Sequence, residues 1–410
     1  MSLIGIDLGT SFIKGAVLNT ETLRPEHVER IAFPQRIAGL PAGFYEYDPA
    51  EILLSVRAVL DRLISLAADC EGLLWSTQMH GLVLTTTDGD PRSNLLTWLD
   101  ERASQPHPAG GGSYFDALVA RITPREREQL GGTELRPGLP VGALFWLAEN
   151  GQLAADGVMP VALGDFVVAQ LCGSRPVTDL SNAQAHGVLN VETNDWHHSA
   201  IEKLGLDRLV WPEIRRHGDV VGRLSLGGRT LPVFTPVGDF QCSLVGSLVE
   251  EDELSLNIST GSQVSRLCRQ VQYGPYQTRP FFDGRYVNTV TTIPAGRALN
   301  SLVALLSELA TAQGLTLPDS WSYIAAAAAR AGDSELRAKI CFFASAVGDR
   351  GEFVNLRESE LTVGHLFRAA FHNMADNYFT CAERLAGERP WQRLVFSGGL
   401  VQKIDLLREF

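Results

Sequence analysis

Cysteine is scarce here, and its spacing does not suit metal chemistry. Six are scattered along 410 residues, at Cys70, Cys172, Cys242, Cys268, Cys341 and Cys381, with no Cys-x-x-Cys pair. This argues against a zinc site and against a disulfide framework. Reduced, mostly buried thiols in a cytoplasmic protein are expected instead. Excess positive charge is missing too: 35 Lys and Arg face 47 Asp and Glu, a net charge of −12. Such a surface repels nucleic acid and anionic membrane, so neither is expected as a partner. It also repels phosphate ligands on average, so any phosphate site must rely on local donors and a metal. No apolar run reaches the ~20 residues that span a bilayer. The N-terminus lacks a basic segment followed by an apolar core and a cleavage site. What remains is ordinary for a globular chain, 45% hydrophobic and 20% charged, and its length predicts two or three domains.

The most informative stretch present is Gly5-Ile6-Asp7-Leu8-Gly9-Thr10-Ser11. An apolar run ends in an acid, then Gly-Thr, and a second run, Phe12 to Leu18, follows. The pattern predicts strand, tight turn, strand. Gly9 is expected to turn with positive φ and to let an anion approach the main chain. Backbone N–H groups and the Thr10 and Ser11 hydroxyls suit phosphate oxygens. Asp7 would repel phosphate, which leaves it Mg²⁺ or the water around Mg²⁺. A plain hairpin is the competing reading of this motif.

Further along, Ala50 to Ala68 has helical spacing, Gly72 to Ser76 reads as a strand, and Gly81 to Thr87 as another, stopped by Asp88-Gly89-Asp90. Val141–Glu149, Phe166–Leu171 and His198–Leu204 read as short helices. A new start comes near Pro232: a strand through Val233 to Thr235, then Pro236-Val237-Gly238-Asp239. After it, Leu254–Ile258, the turn Ser259-Thr260-Gly261-Ser262 and Gln263–Leu267 repeat the opening strand–turn–strand arrangement. Two such units predict duplicated α/β domains, 1–231 and 232–410, facing each other across a cleft. One phosphate hairpin per domain would grip a nucleotide tail from both sides, the geometry of phosphoryl transfer.

These segments, in this order, resemble the FGGY carbohydrate kinases. Residues Gly5 to Ser11 are similar to that family's first phosphate motif, and Thr77-Gln78-Met79-His80-Gly81 to the sugar-binding segment of its ketose branch. Trp98-Leu99-Asp100-Glu101-Arg102 resembles its Trp-x-Asp-x-Arg segment. Thr178-Asp179-Leu180-Ser181-Asn182-Ala183 and Gly238-Asp239-Phe240-Gln241 follow in family order. Leu256 to Thr260 resembles the second phosphate motif, while Ala295-Gly296 with Asn300, and Ser397-Gly398-Gly399, match the nucleotide-side segments. The likeness spans essentially the whole chain. It implies two actin-like, ribonuclease H-like α/β domains of the hexokinase, Hsp70 and actin superfamily. It also implies ATP with Mg²⁺, a sugar substrate, and a monomer or homodimer.

On that resemblance Asp239 is the catalytic base. A sugar hydroxyl attacking phosphorus must lose its proton, and a carboxylate in hydrogen-bond reach takes it. A helix N-cap is the other reading of an Asp before an apolar run. Met79, His80 and Trp98, with Asp239, are implied to bind the sugar; otherwise such residues read as packing. Asp100 and Arg102 read as an ion pair that shapes their loop. Asp7, Gly9, Thr10, Ser11, Ser259, Thr260, Gly261, Gly296, Asn300, Gly398 and Gly399 are implied to line the nucleotide. Asp7 and Asp239 would hold Mg²⁺ through water. Lys14 would face phosphate or solvent, and Lys403 adenosine or solvent. Ser259 stands where many relatives have Gly, and it keeps a donor there. Local wording favours sedoheptulose, with xylulose or ribulose as alternatives. A non-metabolic switch or a binding pseudokinase is the reading from another class. Relatives continue past the segment that ends at Phe410, so the second domain is expected to be incomplete at its C-terminal end.

Overall fold

The computed structural model describes residues 1–153, 157–259, 261–386 and 390–410. Two compact units emerge: residues 1–246 with 278–286, and residues 247–277 with 287–410.

The first unit is built on a mixed sheet. Strands β1 (Ser2–Leu8), β2 (Phe12–Asn19) and β3 (Arg24–Ala32) form an antiparallel meander. In β1, Ile4, Ile6 and Leu8 are buried, while the intervening Gly5 and Asp7 share the other face. Helix α1 (Pro49–Leu66) covers the buried side with Ile52, Val56, Val59, Leu60 and Leu63. Its start is fixed by the Asp48 side chain, which accepts from the Ala50 N–H at 2.8 Å, and by Pro49 in the first turn. Packing is tight enough that a Cβ on Gly15 would sit 2.5 Å from the Leu63 side chain. Strand β4 (Cys70–Thr77) runs parallel to β1 on its other edge.

The helices that follow include α2 (Pro140–Glu149), α3 (Leu163–Cys172) and α4 (Leu180–Ala185). The hairpin β5 (Val220–Leu226) and β6 (Arg229–Phe234) then returns the chain to the sheet. Sheet order is β5-β6-β4-β1-β2-β3, and the two-residue β7 (Val237–Gly238) also pairs with β4. Helix α5 (Asp239–Gly246) starts directly after it. Strands β1, β4 and β7 are parallel, and their C-terminal ends are in register: Leu8 opposite Thr77, and Thr77 opposite Gly238. Open α/β sheets bind ligands beyond such strand ends.

The second unit repeats the opening device. Strands β8 (Glu253–Asn257) and β9 (Ser262–Cys268) are antiparallel. Within this unit they share a sheet with β10 (Tyr286–Ile293) and β11 (Arg393–Ser397), in order β10-β9-β8-β11. Helices α6 (Gly296–Ala312) and α7 (Val363–Ala386) supply Leu299, Phe367 and Phe371 to a core shared with Leu254, Leu256 and Val264.

The helix read from Ala50 to Ala68 and the strands on either side of both turns form close to where their patterns place them. The run from Gly81 to Thr87 yields only a short strand, Val83–Thr85. Compactness divides the chain after Gly246 rather than at 231/232, because β6 and β7 hydrogen-bond to β4 and so stay with the first sheet.

Candidate active site

The loops that leave β1, β4 and β7 come together at one end of the first sheet. The turn after β1 closes with the Gly9 N–H donating to the Phe12 carbonyl at 3.1 Å. Gly9 does not adopt the expected positive φ. Glycine serves here through proximity, since a Cβ would sit 3.1 Å from the Phe12 oxygen. Asp7 lies just before this turn. One of its oxygens accepts from the Ser76 hydroxyl at 3.2 Å, and the other is 3.3 Å from Lys14 Nζ, directly across the β1–β2 ladder. Lys14 therefore pairs with Asp7.

The Thr10 hydroxyl donates to Gln78 Oε1 at 3.4 Å and accepts from Trp98 Nε1 at 3.3 Å. Ser11 is exposed, and its carbonyl accepts from the Phe33 N–H at 3.0 Å. The Gln78 N–H donates to the Leu8 carbonyl at 2.8 Å, which fastens the Gln78–His80 loop to the first turn. Trp98 is 45% exposed although its N–H is engaged. The neighbouring Asp100 and Arg102 form a buried pair, with Nε to Oδ1 at 2.8 Å, and Arg102 also reaches Glu46 at 2.6 Å. They shape the loop.

Met79 is buried against the last residue of β7: a Cβ on Gly238 would lie 2.8 Å from its sulfur. That brings the Met79-His80 loop beside Asp239. His80 has φ +65°, strained for a non-glycine residue. Its ring nitrogens lie 3.2 and 3.4 Å from Arg136 Nη2 and 3.4 Å from Glu134. Burial first, and then the Arg136 charge, push its pKa down to about 3, so the ring is neutral. Glu134 is fully buried and accepts from Arg279 at 2.8 and 3.1 Å and from Arg136 at 3.2 Å. Burial opposes its charge, but these cations hold its carboxyl well below the usual range. Nothing in the sequence pattern singled out Glu134, Arg136 or Arg279. The only local hint is the Glu-Leu-Arg alternation in a glycine-rich loop.

Asp239 opens α5 as that helix's one acidic first-turn residue. Burial first, then the negative charge of Asp7, raise its pKa to about 6, against opposing help from the Phe240 N–H and Arg279. A carboxylate with a pKa near neutrality can take and release a proton. The two carboxylates repel one another, an arrangement that a divalent cation relieves. Among the described residues no group of three or more His, Cys, Asp or Glu side chains could cage a metal. Any Mg²⁺ held by this pair would therefore keep most of its water or phosphate oxygens, as Mg²⁺ commonly does.

In the second unit the turn after β8 is self-contained. The Ser259 hydroxyl donates to Asn257 Oδ1 at 2.6 Å, and the Ser262 hydroxyl donates to the Ser259 carbonyl at 2.7 Å. Gly296, at the start of α6, donates to that same carbonyl at 3.1 Å, and a Cβ there would sit 2.7 Å from it. Gly398 has φ +98°, and its Cβ would meet the Ile258 carbonyl at 2.4 Å. Ser259, Gly296 and Gly398 thus converge. Asn300 is exposed near the start of α6, and a Cβ on Gly261 or Gly399 would meet open space. Thr260 and the Lys403 side chain lie outside the described residues.

Residues 2–246 match the family described as "FGGY family of carbohydrate kinases, N-terminal domain". Mouse sedoheptulokinase is 25% identical, the match covering 99% of this chain and 91% of that protein. Xylulose kinase of Staphylococcus xylosus is 25% identical over 74% of this chain and 64% of its own length. Among solved structures, a ligand-bound xylulose kinase from Lactobacillus acidophilus aligns over 99% of this chain and 82% of its own, with TM-score 0.81 at 20% identity. Glycerol kinase of Plasmodium falciparum with ADP aligns over 99% and 83%, with TM-score 0.84 at 17% identity. These structural likenesses establish the fold, two actin-like α/β domains. No helix among the described residues is long and apolar enough to cross a membrane.

Proposed function

We propose that this chain, which belongs to the FGGY family of carbohydrate kinases and is thus an ATP-dependent sugar kinase, phosphorylates a primary hydroxyl of a ketose, sedoheptulose first among the candidates. The observation that carries the reading is Asp239, half-buried with a pKa raised to about 6 by burial and the Asp7 charge, directly after Gly238, against which Met79 packs. In this assignment Asp239 accepts the proton of the attacking hydroxyl as the new P–O bond forms. Neutral His80 hydrogen-bonds the acceptor without adding charge, Met79 packs its C–H face, and Trp98 covers it. Glu134 and Arg136 hold the His80 ring. Asp7 would hold Mg²⁺ through water, with Asp239 beside it, and Mg²⁺ would supply neutralisation of phosphate charge. Thr10 and Ser11, with the backbone at Gly9, are the proposed phosphate donors of the first unit. Ser259, Thr260, Gly261, Gly296, Asn300, Gly398 and Gly399 are the proposed nucleotide side in the second.

The sugar is tested by coupled ADP release across sedoheptulose, xylulose, ribulose, glycerol and gluconate. The expected result is fastest kcat/KM with a ketose, sedoheptulose leading. Discrimination among ketoses should be modest, since one carbon is worth only about 1–3 kcal/mol in a pocket. Faster turnover of glycerol or gluconate would overturn the ketose assignment. The nucleotide side is tested by Gly398→Ala. Its φ and the nearby Ile258 carbonyl leave no room for a methyl group, at a cost of about 1–3 kcal/mol. KM for ATP is expected to rise several-fold with little change in KM for the sugar. An unchanged KM for ATP would remove Gly398 from the nucleotide side.

A further inference from the structure

Strand β7 is only two residues long, yet it carries Asp239 at its end. Its pairing with β4 satisfies one edge. Among the described residues no strand pairs with the other edge, where buried backbone groups need partners. Side chains from the start of α4 take that place. The Gly238 N–H donates to the Ser181 hydroxyl at 2.7 Å, and the Asn182 side-chain NH₂ donates to the Pro236 carbonyl at 3.1 Å. The Ser181 hydroxyl in turn donates to Asp179 Oδ1 at 2.7 Å. Asp179 also accepts from the Ser181 and Asn182 N–H groups, both at 3.0 Å. Asp179, Ser181 and Asn182 are all buried.

The polarity of this chain is fixed. Burial raises the Asp179 pKa, but the carboxyl already accepts two backbone N–H groups; in its ionised form it only accepts, so the Ser181 proton points to it. The Ser181 lone pair is then committed to Gly238, the residue before Asp239. We propose that Ser181, oriented by Asp179 and assisted by Asn182, is a positioning residue that sets where the Asp239 carboxylate stands against the acceptor hydroxyl. The inference rests on the assignment of Asp239 as base. It gives a function to the Thr178–Ala183 segment, which the reaction scheme itself does not use. Asp7 on β1 and Arg279 on the 278–286 segment bear on the charge of Asp239. On the Asp179 side the corresponding groups are Asp165 on α3 and His217.

The test compares Ser181→Ala, Ser181→Thr and Asp239→Asn, using whichever of sedoheptulose, xylulose and ribulose turns over fastest. For Ser181→Ala, kcat is expected to fall about tenfold or more, as small misplacements of reacting groups do. KM for the ketose should stay near the wild-type value. The acid limb of the pH–kcat profile should move, and threonine, which keeps the hydroxyl, should restore most of both. Selective ¹³C-aspartate labelling reads the Asp239 titration without turnover, and the same displacement is expected there. If the alanine variant does not fold, Ser181→Cys, a poorer acceptor of similar shape, should show the same displacement. Wild-type kcat and an unmoved Asp239 titration in a folded Ser181→Ala or Ser181→Cys protein would overturn the proposal. Full activity of Asp239→Asn would instead remove the base, which is a separate failure.

Discussion

Asp239→Asn is expected to lower kcat for ketose phosphorylation by about 10²–10⁴-fold while leaving ATP binding nearly intact. The substitution keeps size and removes the proton acceptor. In the proposed assignment ATP is held by the turn of each unit and by Asp7, none of which the amide is expected to displace. Stability should not suffer. Asp239 is a carboxylate whose folded pKa, about 6, lies above its ordinary value, so its ionised form is held against a preference for neutrality. As pH rises from about 4 through 6 the folded state loses stability to this group, and the amide removes that loss. A variant at least as stable as wild type, with kcat collapsed and ATP titration unchanged, is the predicted pattern. Isothermal titration with ATP, beside the coupled assay, checks it.

Glu134→Gln is expected to produce the largest loss of stability. Glu134 pairs with both Arg136 and Arg279, and Arg279 is itself buried. Removing one partner of a buried ion pair typically costs about 3–5 kcal/mol, because the remaining charge is left uncompensated. In a domain of this size that corresponds to a fall in melting temperature of roughly 6–20 °C. KM for the sugar should rise as well, since the His80 ring loses its support. The pH dependence has a definite sign. The Glu134 carboxyl sits below its ordinary range, so its stabilisation is present above the unfolded carboxyl pKa and is lost as pH falls. His80 is held neutral down to about 3, so the unfolded chain takes up its proton first, and stability drops as pH falls from 6.5 toward 3. Wild type should therefore destabilise in acid more steeply than Glu134→Gln. A melting temperature in the variant equal to wild type at pH 7.5 would show the cluster to be energetically idle.

Much of this was readable from the residues because the signals were local. Alternating Ile4, Ile6 and Leu8, an acid at the strand end and a Gly-Thr turn give the first hairpin through side-chain periodicity alone. Ile52, Val56, Val59, Leu60 and Leu63 of α1 recur at helical spacing. Long-range partners were not readable. Glu134 and Arg279 are 145 residues apart, and Ser181 and Gly238 are 57 apart, so only the folded chain joins them. Gly9 misled for a related reason: glycine in a turn suggests positive φ, whereas here the constraint is a carbonyl three residues on. The boundary shifted to Gly246 because a short strand after Pro232 pairs with β4 in parallel, and sequence carries little signal for that pairing.

The central claim is that Asp239 takes the proton from the acceptor hydroxyl. The pH dependence of kcat/KM for the preferred ketose, measured on wild type and on Asp239→Asn, tests it most directly. Wild-type activity should rise with pH through an apparent pKa of about 6 and then level off, and the residual activity of the variant should show no such limb. A limb near 6 that persists unchanged in Asp239→Asn, or a wild-type profile flat from pH 5 to 8, would contradict the account.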